Sequence, residues 1–591
     1  MSDLPADTGA TSRAAVEARP LDDWLLAPTW SGCLAAAAAL RPEACAYRWL
    51  ASPQAAPVDL SYGEIAAGAD MAARAFSTLG ERPVVASLLP ALPATLPLAF
   101  GAMAAGVYMP VNPMLNSEAI VGMLVSARAS ALLLPVGQPE PEGVLTALPD
   151  LVILRIDESA LATRHLSPLS GLPTTLRRTP EAEDICAYFH TGGTTGAPKI
   201  ARLRQRNLAY MAWLAGFGGG MRRSDVVPCG MPLFHVGGLV FGGLAPLAAG
   251  AIIVQLGTGG YRDPDMRAAF AEIANREGAT ILFAPPTIAV DVMASTPRNA
   301  FRTARHWVSS AAPLPVATHK AFTAHTGLPV KEAWGLTEAT LVVTFAPSGA
   351  ESRPGSVGPA LPYCRVAVVD PHSHAPLPAG ETGLILVRSP GLFAGYLGNE
   401  ASGLKTGPDG EIWLDTGDMG RLDDNGWLSV TGRAKDMILR GGHNIDPADI
   451  EAAYLAQPGV TAAIAVGRPD ARVGEQPMVF LTRRADDPAD RLLRDTANAL
   501  IADPVARPKN LHVLAEMPLT VVGKPDRPAL RRMAAELAVR EAVQDATAVT
   551  ACPGPGGSIA INLKPMTERD SAVVQHLGLT LAQSTACTET P

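Results

Sequence analysis

The chain of 591 residues contains only seven cysteines, and no two of them form a Cys-x-x-Cys pair. They are scattered along the chain as Cys33, Cys45, Cys186, Cys229, Cys364, Cys552 and Cys587. A disulfide framework or a zinc site needs cysteines at recognisable spacings. The pattern therefore predicts neither, and it favours a reducing compartment such as the cytoplasm.

The sequence also lacks an excess of basic residues. Lys and Arg together number 48 against 56 Asp and Glu, which gives a formal net charge of −8. Proteins that bind nucleic acid usually carry a basic patch that neutralises phosphates. This balance predicts no nucleic-acid partner.

No apolar run is long enough to cross a membrane. The most apolar stretches, near 95–112 and 243–256, are interrupted by proline and glycine, whereas a transmembrane helix needs about 20 apolar residues in succession. Residues 1–20 lack the basic-then-apolar order of a signal peptide. We therefore predict no transmembrane segment, while peripheral contact with a membrane stays open.

What the sequence does contain is an alternation of short apolar runs with helical patterns, from about residue 58 to residue 440. Strands rich in Val, Ile and Leu that alternate with helices are typical of α/β proteins with parallel sheets. We predict a large N-terminal domain of layered mixed or parallel sheets with helices. A small, mobile α+β domain is expected after it.

These patterns divide the chain into four segments. Residues 1–29 are predicted to be a mobile tail, 30–434 the large domain, 435–540 the small domain, and 541–591 a linker with a small appendage of unknown role. Within the last segment, one strand and one helix are predicted, because SIAINLKP alternates with period two and DSAVVQHLGLTL has helical spacing.

The most distinctive motif is HTGGTTGAPK, which runs from His190 to Lys199 after a strand-like stretch. Its glycines permit a tight turn close to an anion, and its threonine hydroxyls, N–H groups and lysine can bind phosphate oxygens. It is not a Walker A loop, because Ala-Pro separates the last glycine from the lysine. The pattern predicts a phosphate-binding loop, with a polar hairpin turn as the alternative. The predicted binding residues are Thr191, Gly192, Gly193, Thr194, Thr195, Gly196 and Lys199.

Together with this loop, further motifs resemble those of the AMP-forming adenylating enzymes. This superfamily comprises acyl-CoA synthetases, peptide-synthetase adenylation domains and luciferases. The matching segments follow in the family's order as Pro232–His235, Ser309–Leu314, Trp334–Glu338, Thr416–Asp418, Gly432–Asp436 and Pro518–Lys524. The resemblance covers roughly residues 30–535, and the segment 441–447 is most similar to bacterial acyl-CoA synthetases.

The resemblance implies a two-step reaction with ATP and CoA as co-substrates. A carboxylate attacks the α-phosphate of ATP to give acyl-AMP and pyrophosphate, and the CoA thiol then displaces AMP. Because two anions meet in the first step, the site needs a cation. The resemblance assigns this part to Lys524, assigns Mg²⁺ binding to Glu338 with Thr195 nearby, and assigns His235 to the junction of the acyl and pantetheine channels. Taken alone, Lys524 could equally be a solvated loop lysine and His235 a core histidine.

The resemblance also implies a set of ATP-binding residues. Trp334 would stack on adenine, where the family usually has Tyr. Asp418 would accept hydrogen bonds from both ribose hydroxyls, and Arg433 would support the ribose and the phosphates. The remaining predicted contacts come from Ala311, Ala312, Pro313, Gly335 and Thr337.

Lys435 marks the position that resembles the family's hinge. In this family the small domain rotates between the two half-reactions. Lys524 faces the nucleotide in one pose, and the loop with Gly441 and Gly442 lines the pantetheine tunnel in the other. A plain interdomain turn is the alternative.

The substrate and the acyl acceptor are less well defined than the reaction. The stretch 234–244 is apolar and rich in glycine, so we expect a medium- or long-chain fatty acid or another hydrophobic acid. A carrier protein is the alternative acceptor, but the segment 339–358 is short where carrier-loading relatives usually have an insertion. A non-catalytic nucleotide-binding paralogue is a further alternative, and the intact Lys524, Glu338 and Asp418 argue against it.

Three positions depart from the family pattern. The stretch Arg202–Asn207 contains no His where the family usually has a His or Ser-His shortly after the phosphate loop. His443 replaces the common Glu before Asn444, and Ser310 stands where Gly is usual. None of these changes removes a group that the chemistry needs, and they bear on substrate and partner specificity.

Overall fold

The computed structural model describes residues 13–156, 178–191, 199–347, 351–399, 401–441, 443–484, 490–520, 525–543, 548–554, 558–564 and 567–581. The strands in these ranges, β1 to β27 in chain order, are Cys45–Leu50, Val58–Ser61, Val84–Ser87, Val107–Pro110, Ala131–Pro135, Val152–Ile156, Ile185–Thr191, Lys199–Arg204, Val226–Cys229, Ile252–Leu256, Ile281–Phe283, His306–Ser309, Val330–Leu336, Leu341–Phe345, Arg365–Val369, Gly383–Arg388, Leu404–Thr406, Ile412–Leu422, Leu428–Arg433, Ile438–Arg440, His443–Ile445, Val460–Asp470, Gly474–Arg483, Asn510–Val513, Ala548–Pro553, Ile559–Lys564 and Thr580–Leu581.

The α-helices in the same ranges, α1 to α17, are Arg13–Glu17, Trp30–Leu40, Tyr62–Phe76, Thr95–Ala105, Ser117–Ala127, Val144–Ala147, Gln205–Gly219, Val236–Leu239, Ala245–Ala249, Pro264–Ala268, Phe270–Arg276, Pro286–Ser295, Val316–Thr326, Pro447–Leu455, Asp490–Leu500, Arg527–Ala542 and Glu568–His576. A π-helical turn, Val240–Leu244, joins α8 to α9. Within the described part of the chain, no helix combines the length and the apolar character needed to span a bilayer.

Local sequence explains how several of these elements begin and end. Helix α3 starts with a capping box, in which the Ser61 side chain accepts from the Glu64 N–H and the Glu64 carboxylate accepts from the Ser61 N–H. This exchange satisfies N–H groups that the first turn leaves without helical partners. Helix α7 is followed by Gly220, which terminates it in a left-handed conformation that costs glycine little.

The first part of the chain builds three sheets that are largely parallel. The six-stranded sheet has the order β6-β5-β3-β4-β7-β8, and only β8 runs antiparallel to its neighbour. Two four-stranded sheets have the orders β2-β1-β10-β9 and β11-β12-β13-β14, with parallel pairing in their central strands. This arrangement confirms the predicted α/β class of the large domain.

Parallel pairing decides where the predicted motifs lie. Strands β11, β12 and β13 run side by side, so their carboxyl ends meet at one edge of the sheet. The segment 309–313 follows β12, and the segment 334–338 closes β13. Ligands of open α/β sheets bind outside the carboxyl ends of the strands. This edge is therefore where the fold would place a ligand.

The chain then forms an antiparallel sheet and the small α+β unit. The first is five-stranded, with the order β15-β16-β18-β17 and with β19 paired to β18. The small unit has the order β21-β20-β23-β22, with β24 beside β23. Helices α14 and α15 cover one face of this second sheet around Ile450, Tyr454 and Leu493, and α16 covers the other face around Leu530 and Ala534. The predicted α+β character is confirmed.

The N-terminal segment differs from the mobile tail that we expect over residues 1–29. From residue 13 onward it packs on the large domain, with the Val16 side chain fully buried. Glu17 accepts from the Tyr363 N–H at 2.7 Å and pairs with Arg365 at 2.9 Å. A five-residue helix is not stable alone, so contacts with residues far along the chain, which composition cannot reveal, order this segment.

The C-terminal appendage folds onto the last helix of the small unit. Strands β25, β26 and β27 form a sheet, and α17 follows β26. The strand predicted in SIAINLKP is present as β26, but the helix predicted over DSAVVQHLGLTL ends at His576, and Thr580–Leu581 forms β27 instead. Ala535 and Val539 of α16 share a core with Val549, Ile561 and Val574. Cys552 is disulfide-bonded, which the cysteine spacing did not predict, whereas the other cysteines of the described ranges form no disulfide.

Candidate active site

The predicted phosphate loop connects two antiparallel strands. Thr191, the last residue of β7, pairs with Lys199, the first residue of β8. Residues 192–198 lie outside the described residues, so the predicted contacts of Gly192, Gly193, Thr194, Thr195 and Gly196 are not placed. The two ends of the loop are thus held side by side at the end of a buried strand.

A tyrosine that the sequence analysis did not identify contacts three of the predicted residues. The Tyr396 hydroxyl donates to Glu338 Oε1 at 2.5 Å, and the Thr191 side chain also hydrogen-bonds to this phenol. Lys199 Nζ lies 5.0 Å from the centroid of the Tyr396 ring. Tyr396 therefore joins the predicted metal ligand to both ends of the predicted phosphate loop. Its only sequence signal was its place in an aromatic, glycine-containing stretch, GLFAGY.

The predicted adenine and ribose residues also lie together. Trp334 Nε1 donates to Asp418 Oδ2 at 3.0 Å, and Arg433 Nε lies 2.6 Å from Asp418 Oδ1. The carboxylate is nearly buried, since Asp418 is 5% exposed. Antiparallel pairing of β18 with β19 places Asp418 directly opposite Arg433. The indole N–H thus holds the Asp418 carboxylate. This contact does not follow from the substitution of Trp334 for the family's usual Tyr.

Gly335 allows the backbone of β13 to approach that of β14 closely. A Cβ at Gly335 would lie 1.4 Å from the carbonyl oxygen of Leu341, so no other residue fits without moving the chain. Thr337 and Glu338 follow in a tight 3-10 turn, which Thr340 closes with a left-handed φ of 64°. The Thr340 hydroxyl donates to Gly391 O at 2.6 Å. This close packing holds the Glu338 turn between β13 and the 389–396 segment.

The loop after β12 contains a second backbone outlier. Ala311 has a φ of 75°, a conformation that costs an L-residue with a Cβ of the order of 1 kcal/mol or more. Ala312 and Pro313 continue the same loop. Strained backbone is frequent at ligand sites, and here it occurs within the segment that the motif assigned to adenine.

His235 begins the short helix α8, where its Nδ1 accepts from the Gly237 N–H at 3.2 Å. The preceding residue, Phe234, stacks on His190 with the ring centroids 6.2 Å apart. His190 Nε2 accepts from the Asn112 N–H at 3.2 Å, and burial lowers the pKa of His190 to about 4. A neutral His190 ring therefore joins the strand before the phosphate loop to the His235 motif.

The predicted small-domain residues lie on the other side of the 433–438 connection. Lys435 occupies a 3-10 turn between β19 and β20, and its carbonyl accepts from Arg531 at 3.2 Å. Gly441 has a φ of 56° at the turn after β20, whereas Gly442 lies outside the described residues. Lys524 also lies outside them. The ends of its loop are joined, because Leu519 bridges to Pro525 and the Asp526 N–H donates to Pro518 O at 2.8 Å.

The structure thus brings the predicted residues into two groups and leaves others apart. Glu338, Thr191 and Lys199 converge on Tyr396, while Asp418 joins Trp334 and Arg433. His235 approaches the first group through Phe234 and His190. Gly441 belongs to the small unit, at a turn whose nearest neighbour is Val473.

Comparison with known proteins agrees with this architecture. The model of the AMP-binding enzyme family matches residues 34–397, and that of the AMP-binding enzyme C-terminal domain matches residues 449–524. The first match alone covers more than half of the chain, so the chain belongs to the AMP-binding enzyme family. It is thereby a member of the adenylate-forming superfamily that its motifs resemble, and the predicted family is confirmed.

Individual relatives are similar over most of the chain. Marinolic acid–CoA ligase from Pseudoalteromonas sp. (strain SANK 73390) is 30% identical over 86% of this chain and 82% of its own length. Sulfoacetate–CoA ligase from Cupriavidus necator is 30% identical over 79% and 91%. The ATP-bound structure of MatB from Rhodopseudomonas palustris superposes with a TM-score of 0.75 at 25% identity, covering 85% of this chain and 99% of MatB.

Proposed function

We propose that this protein is an AMP-forming acid–CoA ligase. It activates a carboxylic acid with ATP to give acyl-AMP and pyrophosphate, and it then transfers the acyl group to CoA with release of AMP. The observation that carries the proposal is that the segment Trp334–Glu338, at the carboxyl end of β13, contacts one carboxylate and carries a second one. A buried carboxylate, Asp418, faces the predicted adenine residue, and a second carboxylate, Glu338, faces the ends of the phosphate loop.

The nucleotide would lie across these two groups. Trp334 would stack on adenine, while Asp418 would accept hydrogen bonds from the ribose hydroxyls. Arg433 and Lys199 would face the phosphates. The loop 191–196 and the segment around Ala311, Ala312, Pro313, Gly335 and Thr337 would complete the pocket.

The residues fit a magnesium ion. Mg²⁺ usually takes one or two protein carboxylates and shares phosphate oxygens and waters. Glu338 supplies one carboxylate beside the phosphate-loop ends, and Thr195 is the second proposed neighbour. Among the described residues, no group of three or more His, Cys, Asp and Glu forms a separate metal cage. When bound, the ion supplies neutralising charge for the phosphates.

His235 would lie where the acyl and pantetheine channels meet, with the apolar 234–244 stretch beside the acid. Phe241 in this stretch stacks on Phe283 with the ring centroids 4.1 Å apart. The apolar composition of this stretch supports a hydrophobic acid. The relatives' names range from sulfoacetate to marinolic acid, so similarity alone does not select among acids.

The test is acid-dependent pyrophosphate release from ATP, measured with a panel of acids and with or without CoA. We expect pyrophosphate release with hydrophobic acids and the matching acyl-CoA when CoA is present. Acyl-AMP that accumulates with CoA, but disappears on addition of a carrier protein, would instead favour a carrier-loading ligase. No acid-dependent release with any acid would contradict the proposal.

Trp334→Phe is expected to raise the KM for ATP about tenfold. The ring remains, but Asp418 loses the N–H donor that orients its carboxylate, and a hydrogen bond to a charged group contributes about 1.5–3 kcal/mol. Initial rates of pyrophosphate release at varied ATP would measure the effect. Trp49→Phe is the matched control, because its N–H donates to the backbone carbonyl of Ala91 and to none of the predicted site residues. Equal KM values in both variants and the wild type would argue against the assignment.

Glu338→Gln is expected to raise the Mg²⁺ concentration needed for half-maximal activity by about tenfold or more. The side chain keeps its shape but loses the charge that attracts a hard cation, and changes around metal ligands cost about 10–100-fold in affinity. A metal titration of pyrophosphate release measures this shift. The surface variant Glu411→Gln serves as a control. A titration that overlays that of the wild type would exclude Glu338 as a ligand.

A further inference from the structure

We propose that Tyr396 is a positioning residue that holds Glu338 in its metal-binding orientation and ties it to both ends of the phosphate loop. This inference rests on the proposed function, because it concerns the same nucleotide and metal. It adds a residue that none of the recognised motifs contains. It also predicts that one side chain positions both the metal ligand and the ends of the phosphate loop.

The backbone fixes the position of Tyr396 from two sides. On one side, the Phe393 N–H donates to the carbonyl of Glu338 at 2.9 Å. On the other, the segment 393–397 runs along β8, where the Leu397 N–H donates to Ile200 O at 2.8 Å and the Arg202 N–H donates to Gly395 O at 3.1 Å. The segment therefore spans the gap between the Glu338 turn and the strand that follows the phosphate loop.

Gly395 makes this course possible. Its φ of 83° lies in the left-handed region, which glycine adopts without the steric cost that a Cβ imposes. The chain turns there and presents the next residue, Tyr396, toward Glu338. The Tyr396 ring packs edge-on against Phe393 with the centroids 4.9 Å apart, which restricts its rotation.

The side chain then makes three contacts at once. Its hydroxyl donates to Glu338 Oε1 at 2.5 Å, its oxygen takes part in a hydrogen bond with Thr191, and its face receives Lys199. A phenolic O–H is a hydrogen-bond donor at neutral pH, so the hydroxyl donates to the Glu338 carboxylate.

In this geometry the two oxygens of the Glu338 carboxylate have different roles. One oxygen accepts from the phenol, which fixes the plane of the carboxylate and leaves the second oxygen for a cation. Hydrogen-bond partners that orient metal ligands in this way typically change metal affinity or activity by about 10–100-fold when removed. Since the same phenol contacts Thr191 and Lys199, one side chain would position both the metal ligand and the two ends of the phosphate loop.

The experiment is a double-mutant cycle with Tyr396→Phe and Glu338→Gln, read out by metal binding as well as by activity. Phenylalanine keeps the ring against Phe393 and under Lys199, so only the hydroxyl is lost. Binding of Mn²⁺ with a non-hydrolysable ATP analogue is measured from the free Mn²⁺ signal in electron paramagnetic resonance. Thermal unfolding of each variant establishes that it is folded.

We expect Tyr396→Phe to weaken Mn²⁺ binding about tenfold or more in the wild-type background. In the Glu338→Gln background it should weaken binding much less, because a residue that acts through Glu338 has nothing left to position. Tyr363→Phe is the matched control. It removes a hydroxyl that donates to Val16 O and Arg19 O, and it should leave Mn²⁺ binding unchanged.

Two results would overturn the inference. One is a folded Tyr396→Phe variant with wild-type Mn²⁺ affinity, and the other is an equal loss in both backgrounds, which would indicate a general structural role. Failure of the proposed function looks different, because the wild type itself would then show no acid-dependent pyrophosphate release. An active wild type together with a Tyr396→Phe variant of unchanged Mn²⁺ affinity would contradict the role of Tyr396 and leave the proposed function standing.

Discussion

Replacing Lys524 with alanine is expected to abolish acyl-AMP formation while leaving much of the transfer from supplied acyl-AMP to CoA. In the first step a carboxylate meets the α-phosphate of ATP, and Lys524 is the cation proposed to neutralise both. Loss of one preorganised charge-stabilising group lowers rates by about 10²–10⁴-fold, which corresponds to about 3–5 kcal/mol. Pyrophosphate exchange measures the first step, and thioester formation from synthetic acyl-AMP measures the second.

The comparison between the two half-reactions is what makes this prediction specific. A variant that was merely unfolded would lose both steps together. Lys509→Ala serves as the matched control, because Lys509 is an exposed lysine of the same small unit, and it should retain both. Near-wild-type pyrophosphate exchange in Lys524→Ala would end the assignment of Lys524.

The second large effect is expected at Lys435. Proline there would fix φ and remove the N–H, which restricts the rotation proposed for the small domain. If the adenylating pose has a compatible backbone at this position, Lys435→Pro should keep substantial acyl-AMP formation and lose about 90% or more of thioester formation. A tenfold loss corresponds to about 1.4 kcal/mol in the barrier.

Lys435→Ala provides the control, because it removes the charge and leaves the backbone free to rotate. It should affect both half-reactions only mildly. Single-turnover assays of each half-reaction, on variants shown to be folded, would decide between a hinge and a passive linker. Parallel losses in Lys435→Pro would contradict the hinge, as would the absence of any loss.

Much of the fold could be predicted because it depends on local patterns. Runs of Val, Ile and Leu such as those in β5 and β10 are buried on both faces, so their composition indicates parallel sheets with helices between them. The order of the motifs then identified the family. The described part of the predicted mobile tail, from residue 13 onward, packs instead on the large domain, because its contacts with Tyr363 and Arg365 join residues more than 340 positions apart.

The same contrast holds within the candidate site. Motifs name residues such as Glu338 and Asp418 because they are short and contiguous. They cannot show that Trp334 donates to Asp418, or that Tyr396 holds Glu338, since each pair spans more than 50 positions. Such pairs are made by strand pairing and by the course of the backbone, which no single segment encodes.

The sequence by itself determined the class of this protein and its α/β and α+β parts, and it predicted a set of residues to bind a nucleotide. These properties follow from composition, periodicity and contiguous motifs, which are local. Only the tertiary structure decided which polar groups meet, because an indole, a phenol and two carboxylates acquire their partners when separate strands are brought to one edge. At that edge Asp418 is buried and Trp334, Glu338 and Tyr396 are partly buried, and hydrogen bonds are stronger where water is partly excluded.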